Sequence, residues 1–329
     1  MMIGEMNEKK SSVYDLLVIT GPTASGKTSL AVALASRLDG EVVSADSRQV
    51  YRRMNLGTGK DYNDYIIEGK KIPYHLIDIA EPGYKYNVFE YQRDFFNVFK
   101  DLKLRNKFPV VCGGSGMYID SIVSGYKMTE VPPDPGLRAS LEKKTLGELT
   151  EILSSYKKLH NITDIDTKKR AIRAIEIEHF NTFNNGKQTE YPETRPLIVG
   201  ILLERQIRRG RISERLKKRL ENGMVEEIRQ FLNKDLKPEE LIYYGLEYKY
   251  ITLYITGQLS YDEMVSSLET AIHQFAKRQM TWFRGMERRG VKIHWIDGEL
   301  SMDEKVEKVL ELLFQVSIQP LKKLPLPDH

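Results

Sequence analysis

One cysteine in 329 residues leaves no partner for a disulfide within the chain, and there is no Cys-x-x-Cys to suggest a zinc site. Cys112 lies in the apolar run Pro109-Val110-Val111-Cys112 and reads as a small core residue in a reducing compartment. No apolar run approaches the ~20 residues that a membrane-spanning helix requires. Residues 1–12 are polar and carry no apolar signal core, so export is not expected and a cytoplasmic location is. Internal repeats are also missing. What remains, with 41% hydrophobic and 29% charged residues, is the composition of a globular enzyme with one large domain and something smaller.

Net charge is a modest +4, but it is unevenly spread. Residues 205–219 hold eight basic side chains (Arg205, Arg208, Arg209, Arg211, Arg215, Lys217, Lys218, Arg219) and one acidic one, Glu214. Lys168, Lys169, Arg170 and Arg173 form a second cluster, and Lys277, Arg278, Arg284, Arg288 and Arg289 a third. Each alone reads as a solvated helix face. Three together, in a chain with a phosphate loop, point to a polyanionic partner.

That loop is Gly21-Pro22-Thr23-Ala24-Ser25-Gly26-Lys27-Thr28, directly after the apolar run Leu16-Leu17-Val18-Ile19. Strand, glycine turn and helix start follow in the order that lets backbone N–H groups and a helix dipole receive phosphate oxygens. Lys27 is placed to reach a terminal phosphate, and the Thr28 hydroxyl to ligate Mg²⁺. The loop alone does not say which phosphate it holds, ATP included, or which bond breaks.

The first 125 residues alternate in the α/β manner: strands at 15–20, 41–44, 74–78 and 108–112, with helices at 27–38 and from Asn87 to about 106. Asn87 and Glu90 make a capping box for the latter. Such alternation predicts a mostly parallel sheet with ligands at its carboxyl edge, where the loops 21–28, 45–49 and 113–116 should converge. Breakers at 131–136 (Val-Pro-Pro-Asp-Pro-Gly) and at Asn184-Asn185-Gly186 bound a charge-rich helical stretch. The expected layout is a phosphate-loop core over 1–127, a helical insertion over 128–190, core completion with C-terminal helices over 191–319, and a disordered tail over 320–329. Within the third part a strand is expected at 195–203, helices at 206–222, 224–233 and from Ser260 to about 283, and an edge strand at 293–296.

Phosphate-loop hydrolases and kinases usually hold Mg²⁺ with a carboxylate at the end of an apolar strand. Here residues 108–112 run into Gly113-Gly114 instead. The best-placed carboxylate is Asp46, after the second strand. It could bind Mg²⁺, accept a proton from a nucleophile, or merely cap a turn with Ser47.

The chain resembles the bacterial tRNA dimethylallyltransferases (tRNA isopentenyltransferases). The resemblance rests on the phosphate loop, on Asp46-Ser47-Arg48-Gln49-Val50-Tyr51 and on Gly57-Thr58-Gly59-Lys60. It continues through residues 74–78, Gly113-Gly114-Ser115-Gly116-Met117-Tyr118 and Arg170-Ala171-Ile172-Arg173-Ala174-Ile175-Glu176. It ends with Arg211-Ile212-x-x-Arg215 and Ala276-Lys277-Arg278-Gln279-x-Thr281-Trp282-Phe283-Arg284.

The resemblance implies a phosphate-loop NTPase-like fold and transfer of a dimethylallyl group from dimethylallyl pyrophosphate to N6 of adenosine 37 in tRNAs that read codons beginning with U. Residues 21–28 would hold the leaving pyrophosphate rather than ATP, with Mg²⁺ on Thr28. Asp46 would be the base, Thr23 a phosphate contact, and Arg215 the arginine that neutralises the pyrophosphate from the far side. Asp46, Ser47, Arg48, Gln49, Ser115, Lys169, Arg170, Ala171, Ile172 and Arg173 match positions that contact the tRNA anticodon stem-loop. One copy of the chain is expected to act alone.

Several departures stand out. The Pro and Asp run before residue 170 is reduced to Asp164-Ile165-Asp166-Thr167. The usual Gly-Tyr-Arg-Gln reads Gly245-Leu246-Glu247-Tyr248, His273 stands where arginine is common, and Asp61 replaces proline after Lys60. Two other readings stay open: an adenylate isopentenyltransferase acting on a free nucleotide, and a phosphate-loop small-molecule kinase.

Overall fold

The computed structural model describes residues 12–159, 163–184, 190–234 and 236–315. It divides into two compact units, one of Met1–Gly125 with Glu193–His329 and one of Tyr126–Pro192. The tail expected over 320–329 lies outside the described residues.

In the first unit, β1 (Leu16–Thr20) is buried along its whole length, as a parallel strand covered on both faces must be. It delivers the phosphate loop and then α1 (Lys27–Arg37). After β2 (Gly40–Ser44) comes a short antiparallel ribbon, β3 (Ile66–Ile67) and β4 (Lys70–Lys71). β5 (Tyr74–His75) is shorter than the stretch expected over 74–78, because Leu76 and Asp78 turn left-handed, with φ of 59° and 57°. α2 (Val88–Leu104) starts at the Asn87–Glu90 capping box and buries Tyr91, Phe95, Phe99 and Leu102 on one face. β6 (Phe108–Gly113) and α3 (Gly116–Val123) complete this half.

The second unit is helical: α4 (Pro135–Leu141), α5 (Leu146–Tyr156) and α6 (Lys168–Asn184). Leu141, Leu149, Leu153, Ala171, Ile172, Ala174 and Ile175 form its core. Glu176, its side chain 1% exposed, takes a two-pronged hydrogen bond from Arg138 at 2.7 Å each and a third from Arg173 at 3.2 Å. Burial pushes the Glu176 pKa up, but these arginines and the Asp134 N–H outweigh it and hold the carboxyl below its ordinary range.

The chain returns to the first unit through β7 (Pro196–Leu202). It continues with α7 (Arg205–Glu221), α8 (Met224–Lys234), α9 (Pro238–Leu241), α10 (Leu246–Ile255), α11 (Tyr261–Arg288), β8 (His294–Asp297) and α12 (Met302–Phe314). The main sheet runs β5-β2-β6-β1-β7-β8 with every pairing parallel. No described helix is long and apolar enough to cross a membrane.

Register fixes the position of the site. Thr20 pairs with Gly113, and Ser44 with Cys112. β2, β6 and β1 are neighbours that end at one level, so the loops that follow them leave the carboxyl edge side by side. Gly113 is where they come closest. A Cβ there would lie 2.2 Å from the Ala45 carbonyl oxygen, so only glycine fits.

Candidate active site

The phosphate loop spans the turn between β1 and α1. Lys27 donates from Nζ to the Pro22 carbonyl at 2.7 Å, folding back over its own loop. Burial above all, joined by Arg215, lowers its pKa to about 8 against the opposing pull of Cys112 and Asp46. The Ser25 hydroxyl is buried and has no hydrogen-bond partner among the described residues. A buried hydroxyl with an unmade bond in a phosphate loop fits an oxygen-rich anion.

Asp46 follows β2. Its Oδ1 accepts from the Arg48 N–H at 2.9 Å, the turn-capping geometry anticipated from sequence, although the partner is Arg48 rather than Ser47. Ser115, between β6 and α3, accepts from the Ser47 N–H at 2.9 Å and so ties the two loops together. Gln49 accepts from Ser44 Oγ at 3.2 Å and donates to the Gly59 carbonyl at 3.3 Å. The Arg48 guanidinium lies 5.4 Å from the ring centre of Tyr243.

Arg215, on α7, is exposed and donates to the Gly59 carbonyl at 3.3 Å. Gln49, three residues after Asp46, donates to the same Gly59 carbonyl, so α7 and the Asp46 loop meet there, and both Asp46 and Arg215 act electrostatically on Lys27. Thr23 offers its backbone N–H to Gln279 Oε1 at 2.9 Å, while Gln279 Nε2 donates to the Gly114 carbonyl at 2.9 Å. One amide from α11 thereby joins the phosphate loop to the β6 loop.

Of the residues expected on α6, Lys169 and Arg170 are exposed, and Arg170 pairs with Asp166. Arg173 is engaged by Glu176 and the Val131 carbonyl. The side chains of Ala171 and Ile172 lie in the core of their unit, which leaves only their backbone for a ligand.

No cluster of three or more His, Cys, Asp or Glu side chains among the described residues could hold a metal unaided. A divalent cation here would depend on ligand phosphates, with Thr28 Oγ1 and the Asp46 carboxylate as the hard oxygen donors nearby. That donor set fits Mg²⁺, which keeps few protein ligands and favours phosphate oxygens.

Three further groups shape this site: Glu227, to which the sequence gives no role, Arg219, read there only as part of a basic cluster, and Glu247, read only as a departure from the resembled family. Glu227 on α8 accepts from the backbone N–H groups of Asn55, Leu56 and Gly57 at 3.1, 2.8 and 3.0 Å, and from the Tyr248 hydroxyl at 2.9 Å. It pins the loop that carries Gly59. Arg219 lies beside Arg215 and pairs with Glu247 at 3.8 Å. The signals in the sequence are the i, i+4 spacing of Arg215 and Arg219 on one helix face and the unusual carboxylate at residue 247.

The chain is similar to proteins of known kind. A family model described as IPP transferase matches residues 49–286, and one described as isopentenyl transferase matches residues 14–75. The tRNA dimethylallyltransferase 1 of Parabacteroides distasonis is 61% identical over 91% of this chain and 98% of its own length. The tRNA dimethylallyltransferase 2 of Phocaeicola vulgatus is 59% identical over the same shares. Among solved structures, the tRNA isopentenylpyrophosphate transferase of Bacillus halodurans superposes with a TM-score of 0.66 at 28% identity, covering 91% of this chain and 95% of that one. A eukaryotic dimethylallyltransferase acting on tRNA, 21% identical with a TM-score of 0.75 over 93% of this chain and 81% of its own, shares the fold. A model match over most of the chain and relatives near 60% identical across nine-tenths of it leave one conclusion: the chain belongs to the IPP transferase family.

Proposed function

We propose that this chain is a tRNA dimethylallyltransferase, carrying a dimethylallyl group from dimethylallyl pyrophosphate to N6 of adenosine 37 in tRNAs that read codons beginning with U. The observation that carries the reading is the meeting of Lys27, Asp46 and Arg215 at one sheet edge. The N6–carbon bond forms as the allylic C–O bond breaks, and the electron pair of that bond leaves with pyrophosphate. Lys27, the loop N–H groups and Arg215 receive the charge that develops there. Mg²⁺, held by Thr28 and the pyrophosphate oxygens, would add further charge stabilisation when bound. The N6 proton becomes acidic as the new bond forms, and the Asp46 carboxylate takes it.

A base stacked in a loop cannot reach such a site, so the adenosine must be splayed out of the anticodon loop. Ser47, Arg48, Gln49 and Ser115 border Asp46 and are the groups placed to hold it. The Arg48–Tyr243 pair offers a flat surface for a neighbouring base. On α6, Lys169 and Arg170 face solvent and suit backbone phosphates, whereas Arg173 serves its own unit. One copy of the chain, in the cytoplasm, is sufficient for this chemistry.

The test is incubation with Mg²⁺, dimethylallyl pyrophosphate and either unmodified tRNA bearing A36-A37-A38 or free AMP, followed by nucleoside mass spectrometry. N6-dimethylallyladenosine is expected in the tRNA alone. Product from AMP alone would overturn the assignment in favour of the nucleotide enzyme. In the same assay Asp46→Asn should lower turnover by roughly 10²–10⁴-fold while tRNA affinity stays within a few fold. Normal turnover in that variant would remove Asp46 from the mechanism.

A further inference from the structure

Two guanidinium groups stand together at the end of the loop that Glu227 pins. A Cβ on Gly59 would lie 1.9 Å from Arg219 Nη2 and 2.8 Å from Arg215 Nη2, so both side chains rest against that glycine. The arginines occupy successive turns of α7. Arg215 is exposed, but the Arg219 side chain is only 16% exposed, and its ion-pair partner Glu247 is 19% exposed. Residue 247 is where the resembled family usually carries arginine. The sign of the charge is reversed here, and an arginine from a different helix meets it.

Contacts place this pair beside the loop of Asp46: the Gly59 carbonyl accepts from Gln49, three residues after Asp46, and from Arg215. Asp46 acts on Lys27, Arg219 and Glu247 alike. Burial above all, joined by the neighbouring Arg215, brings the Arg219 pKa down to about 10 against the pull of Glu247. Burial likewise raises the Glu247 pKa above the ordinary carboxylate range. Lys27, Arg215 and Arg219 are three cations facing two carboxylates, so an anion relieves repulsion among them on binding.

We infer that Arg219 is a second guanidinium for the diphosphate, joining Arg215 opposite Lys27, and that Glu247 is its positioning residue. The inference rests on the proposed transferase reading for the identity of the anion. As the allylic C–O bond breaks, the added charge is spread over the diphosphate oxygens, and a planar fork can bind two of them at once.

The test is calorimetric binding of inorganic pyrophosphate with Mg²⁺ to the full chain and its variants, each first shown to melt cooperatively. Arg219→Ala should weaken pyrophosphate binding by roughly tenfold or more, and Arg219→Lys should recover part of that loss. Glu247→Gln should raise the KM for the prenyl donor a few fold without changing affinity for an anticodon stem-loop. The swapped double variant Arg219→Glu/Glu247→Arg, which returns a guanidinium to the same gap from the other helix, should bind pyrophosphate within a few fold of the parent.

Parental affinity in a folded Arg219→Ala variant would overturn the assignment. So would a loss confined to RNA binding, or one that neither Arg219→Lys nor the swap recovers. Should the alanine variant fail to fold, the lysine and swapped variants decide the matter on the same readout. Because pyrophosphate binding is read without turnover, a chain that does not prenylate tRNA can still pass, and one that does can still fail.

Discussion

Lys27 holds the Pro22 carbonyl at 2.7 Å and has a pKa lowered to about 8 by burial. An ammonium parked on its own loop must be released to meet a phosphate, and it must be charged to be useful there. Below pH 8 the free protein carries that charge; above it the proton is lost before ligand arrives. Pyrophosphate affinity should therefore fall as pH rises through about 8, and Lys27→Arg should remove that fall because a guanidinium stays protonated. Calorimetric titrations at pH 7 and pH 9 check this, and an equal fall in both proteins would assign the titration to another group.

Among the elements, the sheet edge at β5 depends on one buried carboxylate. Glu41 on β2 accepts from Arg105 at 2.5 and 2.9 Å, just past the end of α2, and lies 2.7 Å from His75 Nε2 on β5. Arg105, opposed by burial and aided by His75, lowers the Glu41 pKa to about 2 from an ordinary 4.5. A carboxyl depressed by folding contributes stability above its unfolded value, and that contribution drains as pH falls toward 2. Glu41→Gln should melt lower at pH 7 and lose less of its melting temperature between pH 7 and pH 3. If the variant loses as much on acidification as the parent, other carboxylates control the acid limb.

The same scale shows what could be read in advance. Local chemistry was legible: the Asn87–Glu90 box starts α2, and Ser260 with Glu263 starts α11, which runs to Arg288 rather than to about 283. The turn at Leu76 was not, because left-handed non-glycine residues leave no pattern. α12 escaped notice although Ser301 and Glu304 form a complete capping box, so its signal was present and unused. The site followed the same rule. Asp46, Lys27 and Arg215 announce themselves through motifs, whereas Gln279, Glu227 and the Arg219–Glu247 pair act across 21 to 256 positions of sequence, where no spacing rule reaches.

At the scale of the molecule, charge is concentrated where α7 and α11 run together. A cavity of about 250 Å³ is lined by Arg205, Arg208, Arg209, His273, Ala276 and Lys277. Its arginines and lysine make no ion pair among the described residues, and the buried Nδ1 of His273 has no hydrogen-bond partner among them. Four unpaired cations around one hollow suit a phosphodiester backbone. Arg208→Ala/Arg209→Ala should weaken anticodon stem-loop binding and flatten the plot of log affinity against log salt by roughly 1.5, with pyrophosphate binding unchanged. An unaltered slope would place the RNA backbone elsewhere.

The close approach at Gly113 also decides what this molecule can turn into. Phosphate-loop hydrolases need a carboxylate at the end of the strand beside the loop. Here any side chain at residue 113 would be driven into the Ala45 carbonyl, and one at residue 114 would displace Gln279, whose Nε2 would lie 2.4 Å from a Cβ there. Substitutions that open a path to nucleotide hydrolysis would first have to break the loop junction that positions Asp46. The glycine junction beneath Asp46 thus leaves no room for that carboxylate, in keeping with group transfer rather than hydrolysis.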